Sequence, residues 1–246
     1  MEGRNIRLLI AYDGTDFCGW QRQESGRTVQ GVIEQALEKM HGQPVNLTGC
    51  GRTDAGVHAA GQTANFFTAI DSIPACRFAP ALNSLLPQDV RVLEADEQAG
   101  GFHARFSAVS RTYRYHFICR RLLPHERRYN LYLDRFPRVD VLNAYGRLIL
   151  GETDCTIFSA SGDTSKSKNR YIYSAQFFAE GDRLVFEIRA NAFLRKMVRS
   201  LAGTFLHYEQ TCTPPEKLIE ITASKNRSLC GPTLPPQGLF LWKAEY

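Results

Sequence analysis

Tyr171-Ile172-Tyr173-Ser174-Ala175-Gln176-Phe177-Phe178, then Glu180-Gly181-Asp182, then Arg183-Leu184-Val185-Phe186-Glu187-Ile188-Arg189-Ala190 is the stretch that decides the fold. Two runs rich in aromatic and β-branched residues flank a glycine-containing turn, the signature of an antiparallel hairpin. Directly after it, Phe193, Met197, Leu201, Phe205 and Tyr208 recur at helical spacing, which predicts a helix over 193–208. Arg195 and Arg199 lie four apart, on a common side of that helix. A hairpin feeding a helix is half of an α+β architecture.

The same alternation extends outward. Asp140 is a candidate cap for a helix with Val141, Tyr145, Leu148 and Ile149, ending at Gly151. Pro215 suits the first turn of a helix through Ala223, and 238–242 reads as a closing strand. In the first half, 5–12 is a buried strand, and Thr28 caps a helix carrying Val29, Val32, Ile33, Ala36, Leu37 and Met40 that ends at His41-Gly42. Strands are predicted over 45–48, 63–68, 90–95 and 112–119, and a helix over 75–84. On the 112–119 strand, Tyr113, Tyr115, Phe117 and Cys119 share one face, and Arg114 and His116 the other. Residues 120–138 lack a period and read as a crossover between domains. The expected fold is α+β, with two similar halves, each a mostly antiparallel sheet backed by helices. The halves are 1–104, with a Gly/Asp loop, and 105–246, with the tyrosine strand and basic helix.

That loop is Gly49-Cys50-Gly51-Arg52-Thr53-Asp54-Ala55-Gly56-Val57-His58. Its glycines allow positive φ or close approach, so Asp54 is presented from a tight turn beside Arg52 and Thr53. No Gly-Lys-Ser/Thr or Gly-x-Gly-x-x-Gly follows, which argues against a nucleotide loop. On spacing alone Asp54 is either a turn former bonding its own backbone or a catalyst.

Seven cysteines, an odd number with no Cys-x-x-Cys, fit neither a disulfide framework nor a metal knuckle and read as reduced, mostly buried thiols. No His-Glu-x-x-His pair points to a metal. With no signal peptide and no apolar run near about 18 residues, a soluble cytoplasmic protein is expected. Net charge is +5, but residues 105–138 hold nine arginines against Glu126 and Asp134, a local +7 that leaves −2 elsewhere. Tyrosines are interleaved with them. Guanidinium groups suit phosphates and aromatic faces suit unstacked bases, so a polyanion partner is favoured over a solvated rim.

Six ordered elements carry a resemblance across nearly the whole chain: Tyr12-Asp13-Gly14 with Gly19-Trp20-Gln21-Arg22-Gln23; Gly51 to His58; Leu82-Asn83 with Leu86-Pro87; Phe102-His103-Ala104-Arg105-Phe106-Ser107; Arg111-Thr112-Tyr113-Arg114-Tyr115; and Asn191-Ala192-Phe193-Leu194 with Met197-Val198-Arg199. Together they resemble the tRNA pseudouridine synthases of the TruA family. The resemblance implies the pseudouridine synthase core with its central cleft, and isomerisation of uridine at tRNA positions 38, 39 and 40, without metal or organic cofactor. It implies a homodimer acting on tRNA, with no membrane association. Asp54 matches the family's catalytic aspartate, Tyr113 its base-stacking tyrosine, Arg52 an arginine linked to displacing the base, and Arg199 the basic residue that pairs with the aspartate. Two positions depart: Ser159 stands where relatives commonly have arginine, and Arg195 where many have an aromatic residue. Lys166, Lys168 and Arg170 are candidates to replace the missing contact.

The residues suit that chemistry. An aspartate can attack C1′ or C6 of the uridine, and the sequence leaves both open. A noncatalytic RNA binder would explain the arginines but not a carboxylate among them. A hydrolase would need a metal set or a second carboxylate that local spacing does not offer.

Overall fold

The computed structural model describes residues 3–246 and divides them into two compact units. The first runs through Val109 and takes in Phe240–Tyr246; the second is Ser110–Leu239. Each is a mostly antiparallel sheet backed by helices, so the protein is α+β with two similar halves. Among the described residues no helix is long and apolar enough to cross a membrane.

In the first unit β1 (Arg4–Tyr12) lies between β3 (His58–Thr68) and β4 (Val90–Gln98), antiparallel to both. Its alternation buries Ile6, Leu8, Ile10 and Tyr12, while Arg7 pairs across the ladder with Asp96 at 2.6 Å. α1 (Val29–His41) starts on Thr28, whose hydroxyl accepts the Gly31 N–H, and stops at Gly42 with φ 68°. The strand expected over 45–48 shrinks to β2 (Thr48–Gly49), because the Leu47 N–H goes to the buried Glu34 carboxylate at 3.1 Å and not to a ladder. The helix expected over 75–84 is a 3₁₀ turn, Ala75–Arg77, running into α2 (Phe78–Asn83).

In the second unit β5 (Ser110–Ile118) pairs with β9 (Arg183–Ala190), β9 with β8 (Asn169–Glu180), and β8 with β7 (Gly151–Asp154). The β8–β9 turn holds Gly181 at φ 63°. Residues 120–138 are not a crossover: they lie inside this unit and carry β6 (Leu131–Tyr132), parallel to β5. α3 (Val139–Leu148) packs on β8, where the Asn143 amide donates to the Phe177 carbonyl and accepts its N–H. Asp140 sits in the first turn of α3 as its second residue, and Arg138 is the capping position. α4 (Met197–Gln210) begins four residues later than its apolar period suggests, and Arg195 precedes it, so Arg195 and Arg199 share no helix face. α5 (Lys217–Ser224) follows, and β10 (Leu239–Glu245) returns to lie parallel to β3. None of the seven cysteines is in a disulfide, and Cys50 and Cys155 are the two that are buried, fewer than expected.

Residues 230–236 lie tightly on α4. A Cβ on Gly203 would overlap the Pro232 carbonyl oxygen, and one on Gly231 would meet the Gly203 carbonyl at 2.5 Å. Gly203→Ala is therefore expected to lower stability by about 1–3 kcal/mol through overpacking. Gly101→Ala, which meets nothing within 4 Å, should stay within about 0.5 kcal/mol of wild type in urea unfolding.

Candidate active site

The Asp54 loop joins β2 to β3 and is fixed mostly by main chain. Trp20 N–H donates to the Thr53 carbonyl at 3.1 Å, Cys50 N–H to the Thr63 carbonyl at 2.7 Å, and Gln62 Nε2 to the Gly51 carbonyl at 2.8 Å. The turn closes through Val57 N–H on the Asp54 carbonyl at 3.1 Å. Underneath, the Tyr12 and Thr53 hydroxyls are 2.8 Å apart in the core. Burial pushes the Tyr12 phenol above its ordinary pKa, against the opposing hydrogen bond from Thr53, so it stays neutral near pH 7. Of the three glycines, Gly56 has φ 76° and Gly49 is needed for approach, since a Cβ there would meet the Trp20 indole at 2.6 Å. Gly51 shows neither need. The result is a half-buried Asp54 that follows an exposed Arg52 and a buried Thr53 on a braced turn.

Tyr113 and Arg199 belong to the second unit. Tyr113, 8% exposed on β5, sits opposite Ile188 and meets the edge of Phe193 with ring centroids 4.9 Å apart. Arg199, in the first turn of α4, donates from Nε to the Leu234 carbonyl at 2.7 Å and accepts the Leu234 N–H on its own carbonyl at 3.3 Å. Beside it the Tyr115 hydroxyl donates to the Pro235 carbonyl. Burial raises the Tyr115 pKa, and the positive charge of Arg199 partly opposes this, which puts the guanidinium within electrostatic reach of that phenol. Phe193, Leu234 and Pro235 are supporting residues that the sequence reading did not single out. For Phe193 the signal was its place in the Asn191-Ala192-Phe193-Leu194 element; for the other two no local signal exists.

At the departures from the family pattern, the Ser159 hydroxyl donates to the Thr156 carbonyl at 2.8 Å and closes a local turn. Lys168 is taken by Asp163 at 2.5 Å, and Arg170 donates to the Ser167 and Asn169 carbonyls, while Lys166 is exposed. Among the described residues no group of three or more His, Cys, Asp or Glu is placed to hold a metal.

Comparison with known proteins gives a consistent picture. A family model described as tRNA pseudouridine synthase matches residues 8–107 and 147–246. A protein of Treponema denticola named tRNA pseudouridine synthase A is 53% identical over 249 residues, covering 99% of this chain and 93% of that protein. Proteins of the same name from Caldicellulosiruptor saccharolyticus and Brachyspira hyodysenteriae are 42% and 39% identical, over 99% and 98% of this chain and 100% and 98% of theirs.

The family model passes over 108–146, which holds Tyr113 and most of the basic window. Much of that window's charge is balanced inside the second unit. Arg114 pairs with Glu187 at 2.6 Å, Arg120 with Glu126 at 2.8 Å and Asp182 at 2.6 Å, and Arg135 and Arg138 both with Glu209 at 2.5 and 3.0 Å. Arg121 and Arg127 are exposed. The expected polyanion surface is thus reduced to part of the segment.

The Glu209 side chain is 1% exposed. Burial alone would raise its pKa, but hydrogen bonds from Arg135 and Arg138 overcome this and hold it below the usual carboxylate range. A carboxyl more acidic in the folded chain stabilises it above the unfolded pKa of about 4.3. That stabilisation is lost as pH falls through the lowered folded value. Melting temperature measured against pH should therefore fall below pH ~4.3, with a shallower slope in Glu209→Gln.

Proposed function

The chain belongs to the tRNA pseudouridine synthase family, and from that premise we propose that it isomerises uridine to pseudouridine at positions 38, 39 and 40 of the tRNA anticodon stem and loop, with Asp54 as nucleophile. As a member it is an isomerase acting on tRNA. The observation that carries the reading of the site is the braced turn around Asp54: an attacking carboxylate must be aimed, and this one is set by backbone contacts to Trp20, Val57 and Thr63.

The reaction breaks N1–C1′, turns the base, forms C5–C1′, and moves one hydrogen from C5 to N1. Asp54 opens it by attack on C1′ or on C6; both routes need the same ionised carboxylate. The target base leaves its stack at a cost of a few kcal/mol, and stacking on Tyr113 returns about 1–3 kcal/mol. Arg52, exposed next to Asp54, fills the vacated space or holds a phosphate. Arg199 is the cation paired with Asp54 during the reaction. Tyr113 also relays the C5 proton. The working enzyme is a cytoplasmic homodimer.

Asp54→Ala should abolish tritium release from tRNA labelled at uridine C5 while tRNA affinity changes by no more than several-fold; wild-type turnover in that variant would remove Asp54 from the mechanism. Tyr113→Phe keeps the stacking face, so a fully active variant excludes the proton relay and leaves the platform. Carbodiimide-dependent reverse-transcription stops on treated tRNA should appear at positions 38–40, and their absence overturns the substrate assignment.

A further inference from the structure

We propose that Asp163 is a positioning residue for the isomerisation, stapling the 160–168 loop to the turn that carries Phe193 and opens α4. The proposal rests on the functional reading above and concerns contacts within the second unit alone.

α4 starts without ordinary support. Its capping position is Lys196, a non-glycine residue at φ 62°, and no side chain caps the helix. A left-handed lysine is disfavoured by about 1 kcal/mol or more and persists only where neighbours impose it. The constraint comes from the loop. Asp163 Oδ2 accepts the Arg195 N–H at 2.9 Å, and Ala160 N–H donates back to the Arg195 carbonyl at 3.0 Å, so Arg195 is gripped on both sides of its backbone. The other carboxylate oxygen accepts Ser165 N–H at 2.9 Å and Lys168 Nζ at 2.5 Å, which ties the loop to itself. The Asp163 side chain is only 6% exposed. Burial would raise its pKa, yet Lys168 and the N–H groups of Arg195 and Ser165 hold it far below the ordinary range, so the staple is ionised throughout the working pH range.

What the staple holds are the groups given roles above. Two residues before Arg195, Phe193 meets Tyr113 edge-on; four residues after it, Arg199 projects from the first turn of α4. The far end of the same segment is pinned separately, by Asn191 accepting Tyr171 N–H at 3.1 Å and donating its own N–H to the Tyr171 carbonyl at 3.0 Å. With one end fixed at Asn191, Asp163 fixes the other.

The test uses full-length protein and tritium release from C5-labelled tRNA. Asp163→Asn keeps the shape but leaves one acceptor oxygen for donors that now use two, so kcat should fall by about tenfold with KM within about twofold, the pattern of a misplaced group that does not bind substrate. Because the effect passes through the turn, D163N in a Phe193→Ala background should cost no more than about twofold beyond F193A alone. Wild-type kcat in D163N, a change confined to KM, or fully multiplicative losses in the double variant overturn the proposal. Should D163N not fold by circular dichroism, Lys168→Ala weakens the staple from outside and should lower kcat two- to threefold, about as expected for one supporting contact, and an unchanged kcat refutes the idea. A wild-type protein that releases no tritium sinks the activity itself, whereas an active wild type with an indifferent D163N sinks the staple alone.

Discussion

Tyr12 ends β1 inside the core of the first unit, and its hydroxyl, 2.8 Å from that of Thr53, is the constraint on which the aspartate loop depends. β1 is hydrogen-bonded on both edges, so its last residue is as well placed as any in the unit. Because burial keeps the phenol neutral, the bond does not switch with pH near neutrality. Breaking it would leave a hydroxyl unsatisfied in the core, a cost of about 1–3 kcal/mol. Trp20, whose ring centroid is 6.0 Å from that of Tyr12, continues the same brace: its indole lies on Gly49 and its N–H holds Thr53. The turn that carries Asp54 is thus placed by a residue more than forty positions away, through its neighbour Thr53.

Much of this was legible in the sequence where local forces decide. The Thr28 cap and Gly42 stop of α1, the Gly181 turn, and the loop placement of Asp54 each follow from one residue's intrinsic chemistry. Two failures have distant causes. Glu34 takes a backbone donor from the 45–48 strand, thirteen residues away. Phe193 and Leu194 continue the apolar period of α4 yet lie outside it, because Phe193 packs on Tyr113, eighty residues earlier, and not along the helix. Arg199 could be singled out by resemblance, but its bracing by Leu234 and Pro235 could not be read from any period.

The arginine window shows the same limit for charge. Counting over 105–138 sees Glu126 and Asp134, but the acids that answer Arg114, Arg135 and Arg138 are Glu187 and Glu209, seventy or more residues on. Net charge in a sequence window is a statement about partners only if the fold supplies no counterions. Here it supplies them from β9 and α4, so these arginines organise the second unit's own structure before any substrate arrives.

Arginines of the second unit are held by two kinds of group, carboxylates and backbone carbonyls. Arg135 and Arg138 share one carboxylate that is almost wholly buried, which offsets part of their charge as it fixes their geometry. Arg199 is held through a neutral group as well, the Leu234 carbonyl, a contact that sets the direction of its guanidinium. A carbonyl orients a guanidinium by the geometry of a hydrogen bond alone, whereas a carboxylate adds charge to that geometry. Asp163 combines the two: Lys168 offsets its charge while the Arg195 N–H fixes its direction, which leaves positioning as the chemistry it can do.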